Sequence, residues 1–457
     1  MVQKWYILSL TFLLGVIFFF GVYFLASVQP DYLLAEGRKP AEQPALTAES
    51  WFSGTFSKAF ESWVDDNFPV RDQLLDVGRG MNNFYFYAGP NNDFPVLAPR
   101  PQNEQSAGTP LAPGDLTNFS SQAFSPLTSV AFALPFDQES ADEPDPELNY
   151  PEMEEVSRAD NIIIIGDRAI EIPYAVPKNM AAYASAVSAL AQAMPERRIY
   201  SLIAPNGAEF YTPLSMHSGQ ASQYDMINNT YEQMEGALTV DAYASLRKHA
   251  NEYVYFRTDH HWTALGAYYA YAAFCKTAGL EAIPLSSFET GRYEDFVGSM
   301  YGFTRKYPVS KTLKDNPDYL DYYLPVTPCN LRYYLKLDMA NPISIPVVST
   351  GLKDTIGNKY LCFIGGDTPL AIIESEAGTG RSILVLKESY GNAFVPFLTS
   401  HYDRIYVLDM REFNNGSKER LNLPNFMDNN EIDELLILSY PFSVNNEFYS
   451  AVMKRAL

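Results

Sequence analysis

Apolar residues along this chain fall into three patterns. Residues 5–28 carry no charge, and at 1.5 Å per residue that run gives roughly 36 Å of helix, enough to cross a bilayer core. Between residues 50 and 64, Phe52, Phe56, Phe60 and Trp63 recur at helical spacing. They predict an amphipathic helix whose stripe packs on the main domain. Further on, short apolar runs at 161–165, 198–204, 253–256, 382–386, 405–408 and 434–438 are interspersed with helical stretches at 181–194, 264–278 and 445–457. Such alternation predicts an α/β domain, a parallel sheet flanked by helices. No repeat of fixed period is present.

These patterns divide the chain into a cytoplasmic tip (1–4), a membrane span (5–28), a juxtamembrane helical segment (29–90), an irregular insertion (91–158) and a main domain (159–457). A cleavable signal peptide has a shorter apolar core of about 7 to 15 residues and a small-residue cleavage site. Ala26-Ser27-Val28 matches that site poorly, so an uncleaved anchor is expected. Lys4 precedes the span and Asp31 and Glu36 follow it, which points the N-terminus into the cytoplasm and the remaining chain outward. The expected location is the cell membrane, crossed once, with the C-terminal domain outside. The 91–158 insertion is rich in Pro, Ser, Asn and acid, with nine Asp or Glu from 137 to 155, and lacks helical periodicity. Residues 286–358, dense in Tyr, Pro, Asp and Lys, interrupt the α/β rhythm. A lid, a substrate-shaping insertion and a structural excursion all fit that stretch.

Charge narrows the partners. Lys plus Arg number 33 against 54 Asp plus Glu, a net of −21, which argues against nucleic acid. It also disfavours polyuronates unless the binding groove is locally basic, and favours a neutral or amine-bearing glycan. Cys275, Cys329 and Cys362 lack CxxC spacing, so neither a zinc site nor a disulfide framework is signalled. The 32 tyrosines and 29 phenylalanines mostly suit core packing, with part of them suited to stacking on sugar faces.

Candidate chemistry concentrates in Thr258-Asp259-His260-His261-Trp262-Thr263, between the aromatic run Val254-Tyr255-Phe256 and the helical stretch that ends at Gly279. This spacing predicts a strand-to-helix turn. A carboxylate two residues before a histidine suits one that binds one imidazole nitrogen and leaves the other free for a proton. Helix capping by Asp259 or Thr263 explains the same residues without chemistry. The second candidate is Ser389, which follows the apolar run 382–386 and precedes Tyr390-Gly391-Asn392. A serine on a sharp turn after a central strand is placed to attack a carbonyl, although a serine at a helix start is also a common N-cap.

Several blocks in one order resemble the DHHW proteins, which look like the SGNH-hydrolase-like O-acetyltransferases of alginate and other extracellular polysaccharides. They are Gly37-Arg38-Lys39-Pro40 with Pro44-Ala45-Leu46, the stretch from Asp66 through Pro69 and Arg71 to Asp72, TDHHWT at 258–263, KESYGNAFVPFL at 387–398, and YVLDMR at 406–411. The resemblance implies an SGNH-hydrolase-like three-layer domain and a triad of Asp259, His261 and Ser389. His261 is chosen over His260 because the family spacing is Asp-x-His. The family usually shows an aspartate before the serine, and Glu388 stands there. Arg411 resembles an arginine the family keeps near its site, there to steady a substrate oxygen or a carboxylate.

Tyr390 and Asn392 are candidate oxyanion-hole residues beside the backbone N–H of Ser389. Trp262 is a candidate substrate contact, and Asn206, after a predicted strand, a candidate to enter the same cleft. Gly365-Gly366-Asp367 marks a turn, weak as a phosphate loop because no P-loop lysine follows. The function implied is a membrane-anchored O-acyltransferase of a cell-surface or exported polysaccharide, its donor supplied by an integral membrane acyltransferase. An esterase with the same triad and a non-catalytic glycan-binding subunit are the alternatives. No cofactor is called for. Metal binding by Asp259, His260 and His261 is disfavoured because no further histidine or cysteine lies nearby in sequence.

Overall fold

The protein is described from a computed structural model. It covers residues 156–457 apart from 160–161, 218–221, 354–356 and 415–418, with 43–47, 56, 60, 63–64, 148 and 150 before them. The expected span at 5–28 and most of the acidic insertion lie outside the described residues. Among the described residues no helix is long and apolar enough to cross a membrane. Phe56, Phe60 and Trp63 are helical, with successive ring centroids 5.6 and 5.5 Å apart, the i, i+3 and i+4 contact their spacing predicts.

The main domain is a mixed α/β fold. Strands β1 (Val156–Ala159), β2 (Ile162–Ile165) and β3 (Arg168–Glu171) form a small antiparallel sheet. The central sheet takes β4 (Arg198–Ile203) and β5 (Leu238–Val240). Strands β6 (Thr290–Phe296) and β7 (Asp318–Tyr323) pair with each other apart from it. Then come β8 (Cys329–Tyr334), β9 (Ile343–Ile345), β10 (Leu370–Ser375), β11 (Ser382–Lys387), β12 (Arg404–Asp409) and β13 (Glu434–Ser439). The order across the large sheet is β5-β4-β13-β11-β12-β10-β8-β9.

Its first five members run parallel. In β11 and β13 every residue is buried, so both sheet faces are covered and the strands read as unbroken apolar runs rather than alternating ones. The last three members are antiparallel. The edge strand β9 and its neighbour β8 keep several residues exposed or half-buried, as an antiparallel edge permits.

Helix α1 (Pro177–Ala193) precedes β4. Helix α2 (Ala264–Ala278) has the predicted bounds. Thr263 caps it, accepting the Gly266 N–H at 3.2 Å, and it ends at Gly279 with φ of 69°. Short helices α3 (Ser299–Thr304) and α4 (Gly391–Phe394) follow, the second directly after the serine turn, and α5 (Glu447–Arg455) lies near the C-terminus.

Three expectations need correction. The sheet is not wholly parallel, because β10 and two strands from 286–358, β8 and β9, extend it by successive antiparallel pairings. The run at 161–165 became β2 of the separate antiparallel sheet. The run at 253–256 is no sheet strand: only an isolated bridge joins Tyr255 to Trp262. Tyr255 and Phe256 are buried by aromatic packing on Phe210 and Phe296 instead. A short aromatic run signals burial, not a ladder partner.

Candidate active site

Ser389 stands just past the carboxyl end of β11, with parallel β13 and β12 on either side, the end of an open parallel sheet where clefts form. The turn closes on itself: Glu388 O accepts the Gly391 N–H at 3.0 Å and Ser389 O accepts the Asn392 N–H at 3.1 Å. A Cβ at position 391 would lie 2.7 Å from the Lys387 Cβ, so only glycine lets the turn fold back over that lysine.

Lys387 is buried beneath the turn. Its Nζ donates to Asp367 Oδ1 (2.8 Å) and Asn392 Oδ1 (2.6 Å) and lies 3.6 Å from Asp409 Oδ2. Arg411 reaches both Asp409 oxygens at 2.9 and 2.6 Å and Asp367 Oδ2 at 2.6 Å. Two acids and two bases therefore close a charge-balanced cluster, which makes the burial of Lys387 and Asp409 tolerable. Burial alone would raise the Asp367 carboxyl, but Lys387 and Arg411 hold it well below the carboxylate range.

The histidine turn is built differently. Phe256 N–H to His261 O (3.4 Å) and Thr263 N–H to Val254 O (2.9 Å) pinch a tight loop. Within it, Asp259 Oδ1 accepts the His261 backbone N–H at 3.0 Å and lies 2.6 Å from His261 Nδ1. Asp259 Oδ2 accepts the Ser299 N–H at 2.7 Å. His261 Nε2 lies 2.8 Å from Ser389 Oγ, across 128 residues of chain.

Aromatic side chains tie the two turns together. The Tyr360 ring stacks on the His261 imidazole, centroids 4.1 Å apart and 8° from parallel, and its hydroxyl donates to Ser389 O at 3.3 Å. Trp262 Nε1 donates to Tyr390 O (2.9 Å), and the Tyr390 hydroxyl donates to His260 O (2.5 Å).

Electrostatics set the charge states. Burial opposes ionisation of Asp259, but the charge and hydrogen bond of His261, with His260 and the Ser299 N–H, hold its carboxyl well below the usual range. Since Asp259 is ionised, Nδ1 of His261 donates to it and Nε2 is left to accept from the serine hydroxyl. Burial, reinforced by His261, pushes His260 down to about 3. Burial also pushes Glu388 up to about 7, against the Tyr390 N–H, Arg411 and His261. One Glu388 oxygen takes the Tyr390 N–H at 2.9 Å and lies 3.5 Å from Ser389 Oγ. The other is buried with no hydrogen-bond partner among the described residues.

The structure thus brings Asp259, His261 and Ser389 into one hydrogen-bonded array. Trp262 and Tyr390 are fully buried and hold the turns rather than line a cleft. The Asn392 side chain is occupied on both atoms, by Lys387 and by Asp367 at 2.9 Å. Arg411 serves carboxylates. Asn206 shares a small cavity with His260, His261, Arg168 and Glu171, and its side chain bonds Ala208 N–H, Gln223 and Glu171 O. Asp259, His260 and His261 keep their ligand-type atoms within 4.8 Å of one another. The two His261 nitrogens, both Asp259 oxygens and His260 Nδ1, which lies 2.6 Å from Ser299 Oγ, already have protein partners. Sequence reasoning missed Tyr360, Lys387 and the ion-pair role of Asp367. For Asp367 the signal was there, in an acid after a double-glycine turn.

Replacing Lys387 with Met leaves the buried Asp409 and the solvent-facing Asp367 sharing one arginine, and removing one partner of a buried pair costs about 3–5 kcal/mol. Urea unfolding of Lys387→Met should show a loss of that order. For Glu388 the native carboxyl, near 7 against an ordinary 4.5, keeps a proton that the unfolded chain releases. Its ionisation therefore erodes stability as pH rises from about 4.5 through about 7, by up to about 3 kcal/mol. Glu388→Gln should melt above the parent protein at pH 8 and level with it below pH 5. An equal or lower melting temperature at pH 8 would contradict this.

With this geometry established, comparison places the chain among known proteins. A DHHW family protein from Eubacterium siraeum superposes with a TM-score of 0.58 at 30% identity, over 65% of this chain and 96% of the other. Bacillus cereus PatB1, solved with a sulfonyl adduct, gives 0.50 at 17% identity over 64% and 98%, a likeness of fold. The O-acetyltransferase domain of Pseudomonas putida AlgJ gives 0.37 at 14% identity over 66% and 99%. No curated protein sequence matches the chain. The DHHW protein family matches residues 153–408, more than half of the sequence and both turns of the array included, so the chain belongs to the DHHW family.

Proposed function

We propose that the protein is a membrane-anchored, outward-facing O-acyltransferase of the SGNH-hydrolase-like kind that acetylates a cell-surface or exported polysaccharide. The observation that carries this is the array in which His261 stands 2.6 Å from Asp259 and 2.8 Å from Ser389. In this reading Ser389 Oγ attacks the donor's carbonyl carbon while its proton passes to His261 Nε2. Asp259 stabilises the imidazolium. Collapse of the tetrahedral intermediate expels the donor's leaving group, which takes that proton. A sugar hydroxyl then attacks the acyl-serine, giving its proton to His261, and the serine leaves with that proton.

Three oxyanion donors were expected. The Tyr390 N–H bonds Glu388 and the Asn392 side chain bonds the ion cluster, so the backbone N–H of Ser389 is the remaining one. Helix α3 starts on Asp259 and leads to an open groove lined by Tyr301, Arg305, Tyr307, Lys311, Lys314 and Asp315, where Lys311 pairs with Asp315. Three basic groups against one acid, beside two tyrosine rings, support a sugar acceptor there despite the overall charge of −21. The charge-free run at 5–28 supports the anchor, and an integral membrane acyltransferase is the proposed donor source.

The test is incubation of the detergent-solubilised full-length protein with an acetyl ester and oligosaccharides. Acetylated sugar is expected, with Ser389→Ala reducing its formation roughly 10⁴-fold or more. Ester hydrolysis indifferent to added sugar would make the protein an esterase. Activity that survives Ser389→Ala would end the covalent reading.

A further inference from the structure

Residues 298–318 leave the histidine turn and come back to it. At the start of the excursion, the Gly298 N–H donates to Thr258 Oγ1 (2.9 Å), the Ser299 N–H to Asp259 Oδ2 (2.7 Å) and the Met300 N–H to Thr258 O (3.0 Å). At its end, Asp318 Oδ2 accepts both the backbone N–H and the hydroxyl of Thr258, each at 2.7 Å. Asp318 Oδ1 accepts the Tyr253 hydroxyl (2.5 Å) and Arg257 Nε (3.0 Å), and the Arg257 N–H forks across both oxygens at 3.1 Å. Asp318 and Thr258 are both buried.

These bonds have one direction of effect. The Thr258 hydroxyl has a single proton, which goes to the charged and nearer Asp318 oxygen (2.7 Å) rather than to Phe296 O (3.3 Å), so its lone pairs face the Gly298 N–H. Gly298 in turn is pressed on Asp259: a Cβ there would lie 2.3 Å from the Asp259 Cβ. The next residue supplies the N–H that holds Asp259 Oδ2. A carboxylate as deeply buried as Asp318 is expensive to desolvate unless donors surround it, and here the donors come from three residues, Tyr253, Arg257 and Thr258, the last two through side chain and backbone alike.

We propose that Asp318, acting through Thr258, is a positioning residue that fixes the rotation of the Asp259 carboxylate and so the aim of the His261 imidazole. The 298–318 excursion is then a clasp behind the histidine turn. The inference rests on the triad reading for its effect on turnover, but not for its effect on the Asp259–His261 hydrogen bond.

Thr258→Val keeps the side-chain shape and removes the hydroxyl, and Thr258→Ser restores it. In the full-length protein, Thr258→Val should lower kcat for acetyl-ester turnover roughly ten- to hundred-fold with KM within two-fold, and Thr258→Ser should recover most of the loss. The downfield proton resonance of His261 Nδ1–H should shift or broaden in Thr258→Val and in Asp318→Asn. A folded Thr258→Val protein with unchanged kcat and an unchanged resonance would overturn the proposal. So would failure of Thr258→Val to fold, because the clasp would then be a folding element. If Ser389→Ala shows the triad reading to be wrong, the resonance still decides whether the clasp governs the Asp259–His261 bond.

Discussion

Everything in this site depends on one imidazole held between a carboxylate and a hydroxyl, with water largely excluded. Asp259 and His261 are both buried, and in that setting an ion-paired hydrogen bond is stronger than in solvent and a misplaced one more costly. The ionised Asp259 fixes which nitrogen carries the proton, and the free electron pair of the other nitrogen then meets Ser389. No single element supplies this arrangement. The histidine and serine turns lie 128 residues apart, and their junction is made by Tyr360, Trp262 and Tyr390, whose rings pack in the seam while their polar atoms bond backbone across it.

Each turn is also braced from behind by buried charge, by different means. Under the serine, Lys387 and Arg411 balance Asp367 and Asp409, so the ends of β11 and β12 are locked to the 365–367 turn. Behind the histidine, a single carboxylate, Asp318, gathers hydroxyl, guanidinium and backbone donors. Glu388 is the exception. Its second oxygen has no partner among the described residues, so the residue beside the serine is held by desolvation in a partly protonated state near neutral pH.

The parts of this account that were legible in the sequence are those whose physics is local. The unbroken apolar runs of β11, β12 and β13 announce strands buried on both faces. The alanine-rich α2, with Thr263 before it and Gly279 after it, announces its own bounds. The Asp-x-His spacing and the serine before a glycine turn announce candidate chemistry. What was not legible depends on distant partners. The run at 253–256 has strand composition but no neighbouring edge to pair with. The strands of 286–358 carry weak patterning because they lie toward the sheet edge or in a separate two-stranded pair, and most of their residues are exposed or half-buried. Tyr390, Asn392 and Trp262 sit where motif reasoning puts them, yet their side chains face other protein groups. Only three-dimensional packing decides that.

The most direct measurement of the central claim is intact and peptide mass spectrometry of the full-length protein after exposure to an electrophile that traps an activated serine, such as a sulfonyl fluoride. One adduct per chain is expected, on Ser389, and none when His261 is replaced by Ala. An unlabelled Ser389, or labelling that persists without the imidazole, would contradict it.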